Sequence, residues 1–297
     1  MKQVSVLMST YKEPVVFIEK AVASILNQTY PIFEFIIILD DPNNVELRKK
    51  LEKYAVNNTS IRLLYNEQNL GLVGSLNRAL KECHGEYIAR MDADDISHLN
   101  RIKTQVEFIE NHSCDLIGAG YEMFTSENRK CREYLFPRQH KQCINWLRKN
   151  TCVPHPLWFG KREVFIAMNG YREITTCEDF DFIIRAVLAG YQLGNCKEIL
   201  LKYRYNPNSI SRKRELEQSL VASFLAENFR KDRMVTIEEY QNYLCSDEFR
   251  NEMQYGQMQA EKKKRYYEQK NLFVKLKILL SLVLNRQFIK SKIKHKK

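Results

Sequence analysis

The sequence holds no Cys-x-x-Cys, no glycine-rich phosphate loop and no apolar run of 18 residues. Each absence removes a class. The eight cysteines stand singly at 83, 114, 131, 143, 152, 177, 196 and 245, and Cys152 near His155 lacks the second pair of ligands a zinc centre needs. Such scatter predicts reduced, structural thiols in a cytosolic setting. No Gly-x-Gly-x-x-Gly follows a strand-like run, and Gly71 and Gly74 stand alone, which argues against a dinucleotide-binding dehydrogenase. The apolar blocks are too short to span a bilayer. The first residues enter an apolar strand directly, without the long apolar stretch and small-residue cleavage site of a secretory leader. Repeats and Ser/Gly linkers are also missing.

Net charge is missing from most of the chain as well. The 297 residues carry a formal +11, yet residues 261–297 hold 13 Lys and Arg against 2 Asp and Glu, so residues 1–260 balance at 34 of each sign. A neutral body argues against a nucleic-acid groove, and a basic tail points to an anionic surface. With 44% hydrophobic and 28% charged residues, the chain suits one large α/β domain with an appendage.

What is present is a series of apolar runs that end in polar residues. Val4 to Met8 ends in Ser9-Thr10-Tyr11-Lys12-Glu13, and Phe35 to Leu39 ends in Asp40-Asp41. Ile61 to Tyr65 leads to Asn66 and Asn69, and Tyr87 to Met91 ends in Asp92-Ala93-Asp94-Asp95. Helical patterns over about 15–27, 45–54 and 71–83 separate the four, so the spacing predicts βαβ units and a mainly parallel sheet. Ligands bind beyond the carboxyl ends of such strands, and all four polar sets are expected on one rim. Three carboxylates in four positions repel one another and need compensation, from a hard divalent cation or from Arg90 or Arg101. A solvated loop capping a helix that starts near Leu99 gives the same pattern.

Further along, a strand is expected over 116–121 and less regular structure over 122–160. His155 lies between Pro154 and Pro156, which keep their predecessors out of helix, so it is either structural or ligand-facing. Cys177-Glu178-Asp179-Phe180-Asp181 opens a helix expected over 182–189. Acids there either cap the helix or form an exposed pair on the same rim, where a carboxylate suits a general base. After a strand at 199–205, Arg212, Lys213 and Arg214 follow a turn, as a solvated face or as a loop closing over a diphosphate. From residue 212 the pattern is helical, giving a domain at 1–212 and a helical region at 213–297. The tail at about 262–297, apolar from Ile278 to Leu284 except Ser281, is expected to lie on an anionic membrane.

Together these motifs resemble glycosyltransferase family 2, whose catalytic domain has the GT-A fold. The resemblance rests on Val4 to Tyr11, the Ile-rich strand into Asp40-Asp41, and Asn69-Leu70-Gly71 with Ser75 to Leu80. It continues through Tyr87 to Asp95, Arg101, His155-Pro156, Gly170-Tyr171 and Glu178-Asp179, and covers about residues 3–212. The Ala-Arg-Met-Asp-Ala-Asp-Asp and His-Pro segments are most similar to exopolysaccharide and capsule enzymes of the amylovoran type.

The resemblance implies a Rossmann-like α/β sheet flanked by helices, with the helical C-terminal extension outside the shared pattern. It implies inverting transfer of a sugar from a nucleotide-sugar, UDP-hexose or UDP-N-acetylhexosamine, to a saccharide or lipid-linked saccharide hydroxyl. This would serve bacterial surface polysaccharide synthesis on the cytoplasmic face of the membrane. Thr10, Tyr11 and Glu13 would line the nucleoside pocket, with Asp40 or Asp41 on the base and Asn69, Arg90, Asp92 and Ala93 also at the nucleotide. Asp94, with Asp92, would hold Mn²⁺ or Mg²⁺; Asp179 would be the base, and Glu178 and His155 would meet the acceptor. Here the second strand ends Asp-Asp-Pro-Asn where many relatives have Asp-Asp-Gly-Ser, which leaves Asp40 and Asp41 both open. A sugar-nucleotide pyrophosphorylase would need a Gly- and Arg-rich loop in place of Ser9 to Pro14. A catalytically silent nucleotide-sugar-binding subunit is the remaining alternative, disfavoured by the intact Asp-x-Asp and Asp179.

Overall fold

The computed structural model describes residues 1–125, 129–206, 209–269 and Lys275. Its first third alternates strand and helix: β1 (Val4–Thr10), α1 (Val15–Leu26), β2 (Glu34–Leu39), α2 (Val45–Asn57), β3 (Ile61–Tyr65), α3 (Gly71–Lys81) and β4 (Tyr87–Asp92). Then come β5 (Ile96–Ser97), α4 (Arg101–Asn111), β6 (Leu116–Phe124), β7 (Lys130–Tyr134), α5 (His140–Leu147), a 3₁₀ turn at His155–Leu157 and β8 (Phe159–Lys161). The rest is α6 (Arg162–Ala167), α7 (Glu178–Leu188), β9 (Leu193–Arg204), α8 (Ile210–Lys213), α9 (Glu215–Phe229), α10 (Ile237–Cys245) and α11 (Asp247–Glu268).

All nine strands join one mixed sheet in the order β3-β2-β1-β4-β8-β6-β9-β5, with β7 added on β6. β3, β2, β1 and β4 are parallel, as the alternation predicts, and their ends are level: Thr10 pairs with Leu39, Leu39 with Tyr65, and Ser9 with Asp92. The polar residues that follow each strand therefore share one edge. β2 is buried along its whole length because helices cover both sides, and that is why its sequence shows no alternation. One face packs Val4, Val6, Met8, Phe35, Ile37, Ala89 and Met91 against Ile18, Val22 and Ile25 of α1 and Ile102 and Val106 of α4. Arg90 and Asp92, two positions apart on β4, share the opposite face.

The structure corrects several expectations. Asp95 is not a rim carboxylate but fully buried, because the chain turns directly into β5, which pairs with β9, and Asp95 accepts the Arg204 N–H at 2.8 Å. Arg101 is likewise no counterion at the rim. It is fully buried and donates to the Arg90 carbonyl at 2.6 Å and to Gln105 at 3.0 Å, bracing β4 from behind. α7 starts at Glu178, not Phe182, since the acids themselves occupy its first turn. The region 122–160 contains β7, α5 and β8, short elements that leave little periodicity to read.

The chain divides into two compact units, residues 1–213 with 221–235, and 214–220 with 236–297. In the second unit Tyr243 and Phe249 meet edge to face at 5.3 Å, joining α10 to α11. The tail expected on a membrane lies, past Gln269, almost wholly outside the described residues. Among those described, no helix is long and apolar enough to cross a membrane.

The end of the sheet away from the rim is tied by Glu34, which is buried and accepts from Ser5 Oγ at 2.6 Å, the His84 N–H at 2.6 Å and Arg62 at 2.9 Å. Hydrogen bonds to a charged group contribute about 1.5–3 kcal/mol. Glu34→Ala is thus expected to lower the urea-unfolding free energy by about 1.5–3 kcal/mol. An unchanged urea midpoint would contradict this role.

Candidate functional site

At the β1 and β2 corner, Thr10 Oγ1 and the Tyr11 N–H both donate to Glu13, at 2.8 and 2.7 Å. This fixes the turn after β1 and leaves the Tyr11 ring exposed, with Lys12 over it at 4.7 Å. The two acids after β2 differ. Asp40 is buried and accepts from Asn66 Nδ2 at 2.6 Å and the Leu70 N–H at 2.8 Å, so it clamps the loop into α3. Asp41 is half-buried and accepts the Asn43 N–H at 3.1 Å. Of the two, Asp41 stands at the surface. Asn69 is exposed and accepts the Gly71 N–H at 2.9 Å, where Gly71 takes φ +71 at the start of α3.

The acid loop after β4 reaches this corner. Asp92 is half-buried and ion-paired with Arg90; Ala93 is buried. The Asp94 carboxyl is pushed up to about 7 by burial, then by the charges of Asp92 and Glu13, with Arg204 opposing. Glu13 thus joins the turn after β1 to the acid loop. Arg204, which the sequence reading missed, donates from Nε to the Asp94 carbonyl at 2.7 Å, its guanidinium over Phe17 at 3.8 Å and Phe124 at 4.5 Å. Its only sequence signal is an arginine at the end of a strand before Asn206-Pro207. In the neighbouring basic turn, Arg212 lies over the Tyr205 ring at 5.4 Å, while residues 207–208 are outside the described set.

The second acid pair sits in the first turn of α7. Glu178 and Asp179 are half-buried, not the exposed pair expected. Burial and the neighbouring Asp179 push Glu178 up to about 7, with the Arg90 charge opposing. Asp179 is raised by burial, opposed by the Phe180 N–H it accepts at 2.7 Å and by Arg90. Asp181 is consumed by the fold, pairing with Arg172 and with Arg185 at 2.8 Å. Arg185 also donates to the carbonyls of Met168 and Gly170 and so holds the turn before α7. At Gly170, φ is +68 and an added Cβ would lie 2.3 Å from Asn77 Oδ1, so this turn requires glycine. Asn77 in turn bonds the Tyr171 N–H and carbonyl at 2.7 and 2.8 Å.

Tyr171 brings in His155. Its hydroxyl lies 2.9 Å from His155 Nε2, and Trp158 packs on both rings. His155 is buried, and burial together with the Arg90 charge holds its pKa well below the ordinary value, so the ring is neutral. The prolines that exclude it from helix place it in the 3₁₀ turn, where its ring is engaged by Tyr171. Arg90, only 4% exposed, acts on both acid sets.

Among the described residues no three His, Cys, Asp or Glu are grouped to hold a metal by themselves. Asp92 and Asp94 nevertheless fit a hard divalent cation, which takes one or two carboxylates and fills its shell with water and phosphate oxygens. The raised Asp94 carboxyl marks a place where added positive charge is favourable.

A family model described as Glycosyl transferase family 2 matches residues 5–168. The chain belongs to this family. An uncharacterised glycosyltransferase of Methanocaldococcus jannaschii is 33% identical over 204 residues, covering 68% of this chain and 70% of its own. The O-antigen biosynthesis glycosyltransferase WbnJ of Escherichia coli is 28% identical, covering 78% of this chain and 91% of its own. The amylovoran biosynthesis glycosyltransferase AmsE of Erwinia amylovora is 26% identical, covering 71% and 79%. The fold is shared with the mannosyltransferase PcManGT of Pyrobaculum calidifontis, in complex with GDP-Man and Mn²⁺ (TM-score 0.60, 16% identity, 77% of this chain and 64% of that one). It is shared also with TarS 1-349 of S. aureus in complex with UDP-GlcNAc (TM-score 0.56, 19% identity, 70% and 60%). The match to a longer TarS chain spans 37% of that chain. This family 2 glycosyltransferase thus carries the expected GT-A sheet. The family match contains both the corner after β1 and β2 and the acid loop, while Tyr171, Glu178, Asp179 and Arg204 lie beyond it.

A carboxyl raised to about 7 in the fold binds a proton more tightly there than in the unfolded chain. Its stabilising contribution is present in full only below the ordinary aspartate range and is lost progressively as pH rises from there to about 7. Asp94→Asn is therefore expected to raise the metal-free melting temperature by several degrees at pH 8 and by clearly less at pH 5. Equal shifts at both pH values would contradict the crowding of Asp94.

Proposed function

We propose that this glycosyltransferase moves a hexose or N-acetylhexosamine, with inversion, from a UDP-sugar to a saccharide hydroxyl in bacterial surface polysaccharide synthesis. One observation carries the reading. Asp92 of the acid loop after β4 is ion-paired with a single buried arginine, Arg90, whose charge also acts on Glu178 and Asp179 of α7. Displacement at an anomeric carbon needs a stabilised leaving group and a base, and two acid sets brought to one arginine suit that task.

At the nucleoside corner Thr10, Tyr11 and Glu13 form one wall, with Asp41 the better placed of its pair to meet the base and Asp40 holding the loop that carries Asn69. Asp94, with Asp92, would hold Mn²⁺ or Mg²⁺, which supplies positive charge to the departing diphosphate. Asp179 accepts the proton of the attacking hydroxyl. Its raised pKa makes it a stronger base than an ordinary aspartate. Glu178, pushed up to about 7, keeps a proton through much of the working range and can donate a hydrogen bond to an acceptor oxygen. His155 and Tyr171 brace that wall. One base and one displacement give single inversion, with no covalent intermediate.

Support for the donor and pathway comes from relatives: TarS was solved with UDP-GlcNAc and PcManGT with GDP-Man and Mn²⁺, and WbnJ and AmsE are named for O-antigen and amylovoran biosynthesis. The catalytic domain is assigned to residues 1–212 and a helical region to 213–297. Lys262 to Arg265 in α11 and the basic residues that follow direct the protein to an anionic membrane surface, where a lipid-linked acceptor would be met.

Asp179→Asn is expected to lower transfer by about 10²–10⁴-fold while UDP-sugar binding, read by calorimetry, persists. Loss of donor binding in that variant would count against the base assignment. Truncation after about residue 260 is expected to move the protein from the membrane to the soluble fraction; an unchanged distribution would sink the tail assignment.

A further inference from the structure

Arg90 keeps two donors that the fold does not use. Its side chain is 4% exposed, and its Nε and Nη1 atoms have no hydrogen-bond partner among the described residues. Nη2 is taken by Asp92. An unmet buried donor costs about 1–3 kcal/mol, and more when charged. The cost falls beside both acid sets, since Arg90 is paired with Asp92 and its charge acts on Glu178, Asp179 and His155. Neighbouring Arg101, also fully buried, spends its donors on the Arg90 carbonyl and Gln105. Unused donors are therefore not the general condition of buried arginines here; besides the two of Arg90, Nη2 of Arg204 is the other buried arginine donor without a partner among the described residues.

We infer that Arg90 is a donor-sugar contact, its Nε and Nη1 donating to hydroxyl oxygens of a neutral hexose or N-acetylhexosamine held between Asp92 and the Glu178–Asp179 pair. The inference deepens the proposed function and rests on it. If the diphosphate leaves toward Asp92 and Asp94 and the attacking hydroxyl meets Asp179, the anomeric carbon must lie between them. Arg90 is paired with the first of these and its charge reaches the second, whereas the proposed nucleoside wall is built by Thr10, Tyr11 and Glu13 after β1. Arg90 therefore reads the sugar and not the nucleotide, to which the sequence had assigned it.

Charge decides the class of sugar. Asp92 already pairs with Arg90, and Glu178 and Asp179 are both raised by burial amid like charges. A uronate carboxylate placed here would add a further negative charge to a crowded set of carboxyl groups. Hydroxyl oxygens satisfy the two donors without that repulsion. A lysine could hold the pair with Asp92 as a point charge, but it lacks the separate, fixed donors of the guanidinium.

The test uses the full chain with Mn²⁺ and thermal shifts by UDP, UDP-glucose, UDP-galactose, UDP-N-acetylglucosamine, UDP-glucuronate, GDP and GDP-mannose. In the wild type, one neutral sugar nucleotide is expected to stabilise more than its free diphosphate, and UDP-glucuronate no more than UDP. Arg90→Lys is expected to keep the shift by the free diphosphate and lose the increment from the sugar, with kcat/KM down about 10–150-fold. Arg90→Gln, read in the same way, serves if the lysine variant is unfolded. Retention of the full increment in either folded variant, or loss of the free-diphosphate shift along with it, overturns the inference. So does a larger shift by UDP-glucuronate than by every neutral sugar nucleotide. If no compound shifts the wild type, the nucleotide-sugar reading itself fails, an outcome distinct from the first three.

Discussion

Carboxylate crowding is the constraint on which the rest of the site depends. Glu13, Asp92, Asp94, Asp95, Glu178 and Asp179 act on one another in groups, and burial raises the cost of each charge. The fold answers with two buried arginines from opposite halves of the sheet. Arg90 on β4 pairs with Asp92 and offsets the α7 pair; Arg204 on β9 holds the Asp94 carbonyl and offsets Asp94 and Asp95. Asp95 is best understood within this scheme. Buried and bonded to the Arg204 backbone, it ties the acid loop to β9 so that Asp94 keeps its place. Local stability is given up to hold these carboxylates together.

The same constraint explains how the acid pair is presented. α7 begins in a turn that only Gly170 permits, is braced by Asn77 and Arg185, and is entered through Thr176 at φ 62. A β-branched residue in the left-handed region is a strained choice. It lies two residues before Glu178, where it fixes the direction from which the acids enter the site.

Much of this was legible in the sequence, and for stated reasons. Continuous apolar runs such as Phe35 to Leu39, separated by helical periods, require a parallel sheet covered on both faces, and polar residues after each strand then share one rim. What the sequence could not show is which polar residues the fold would consume. Asp40 and Asp41 are adjacent and alike, yet one clamps a loop from within and the other stands at the surface. Asp94 and Asp95 differ in the same way, because β5 pairs with a strand more than 100 positions later. Arg101 resembled a rim cation and is a brace, and Arg204 carried no motif at all. Each miss is a long-range contact, invisible to periodicity and spacing. The family match, ending at residue 168, stops before Arg204 and the α7 acids; the roles of Glu178 and Asp179 come from the motif resemblance, and Arg204 enters through its contact with Asp94.

The most direct measurement is calorimetric titration of UDP into the wild-type protein with Mn²⁺ and, separately, with EDTA. If the acid loop is completed by a divalent cation bridging to the diphosphate, UDP binds with Mn²⁺ and is weakened at least tenfold without it. Equal affinity in both would contradict the account, and the crowding of carboxylates after β4 would then serve something other than a metal-held diphosphate.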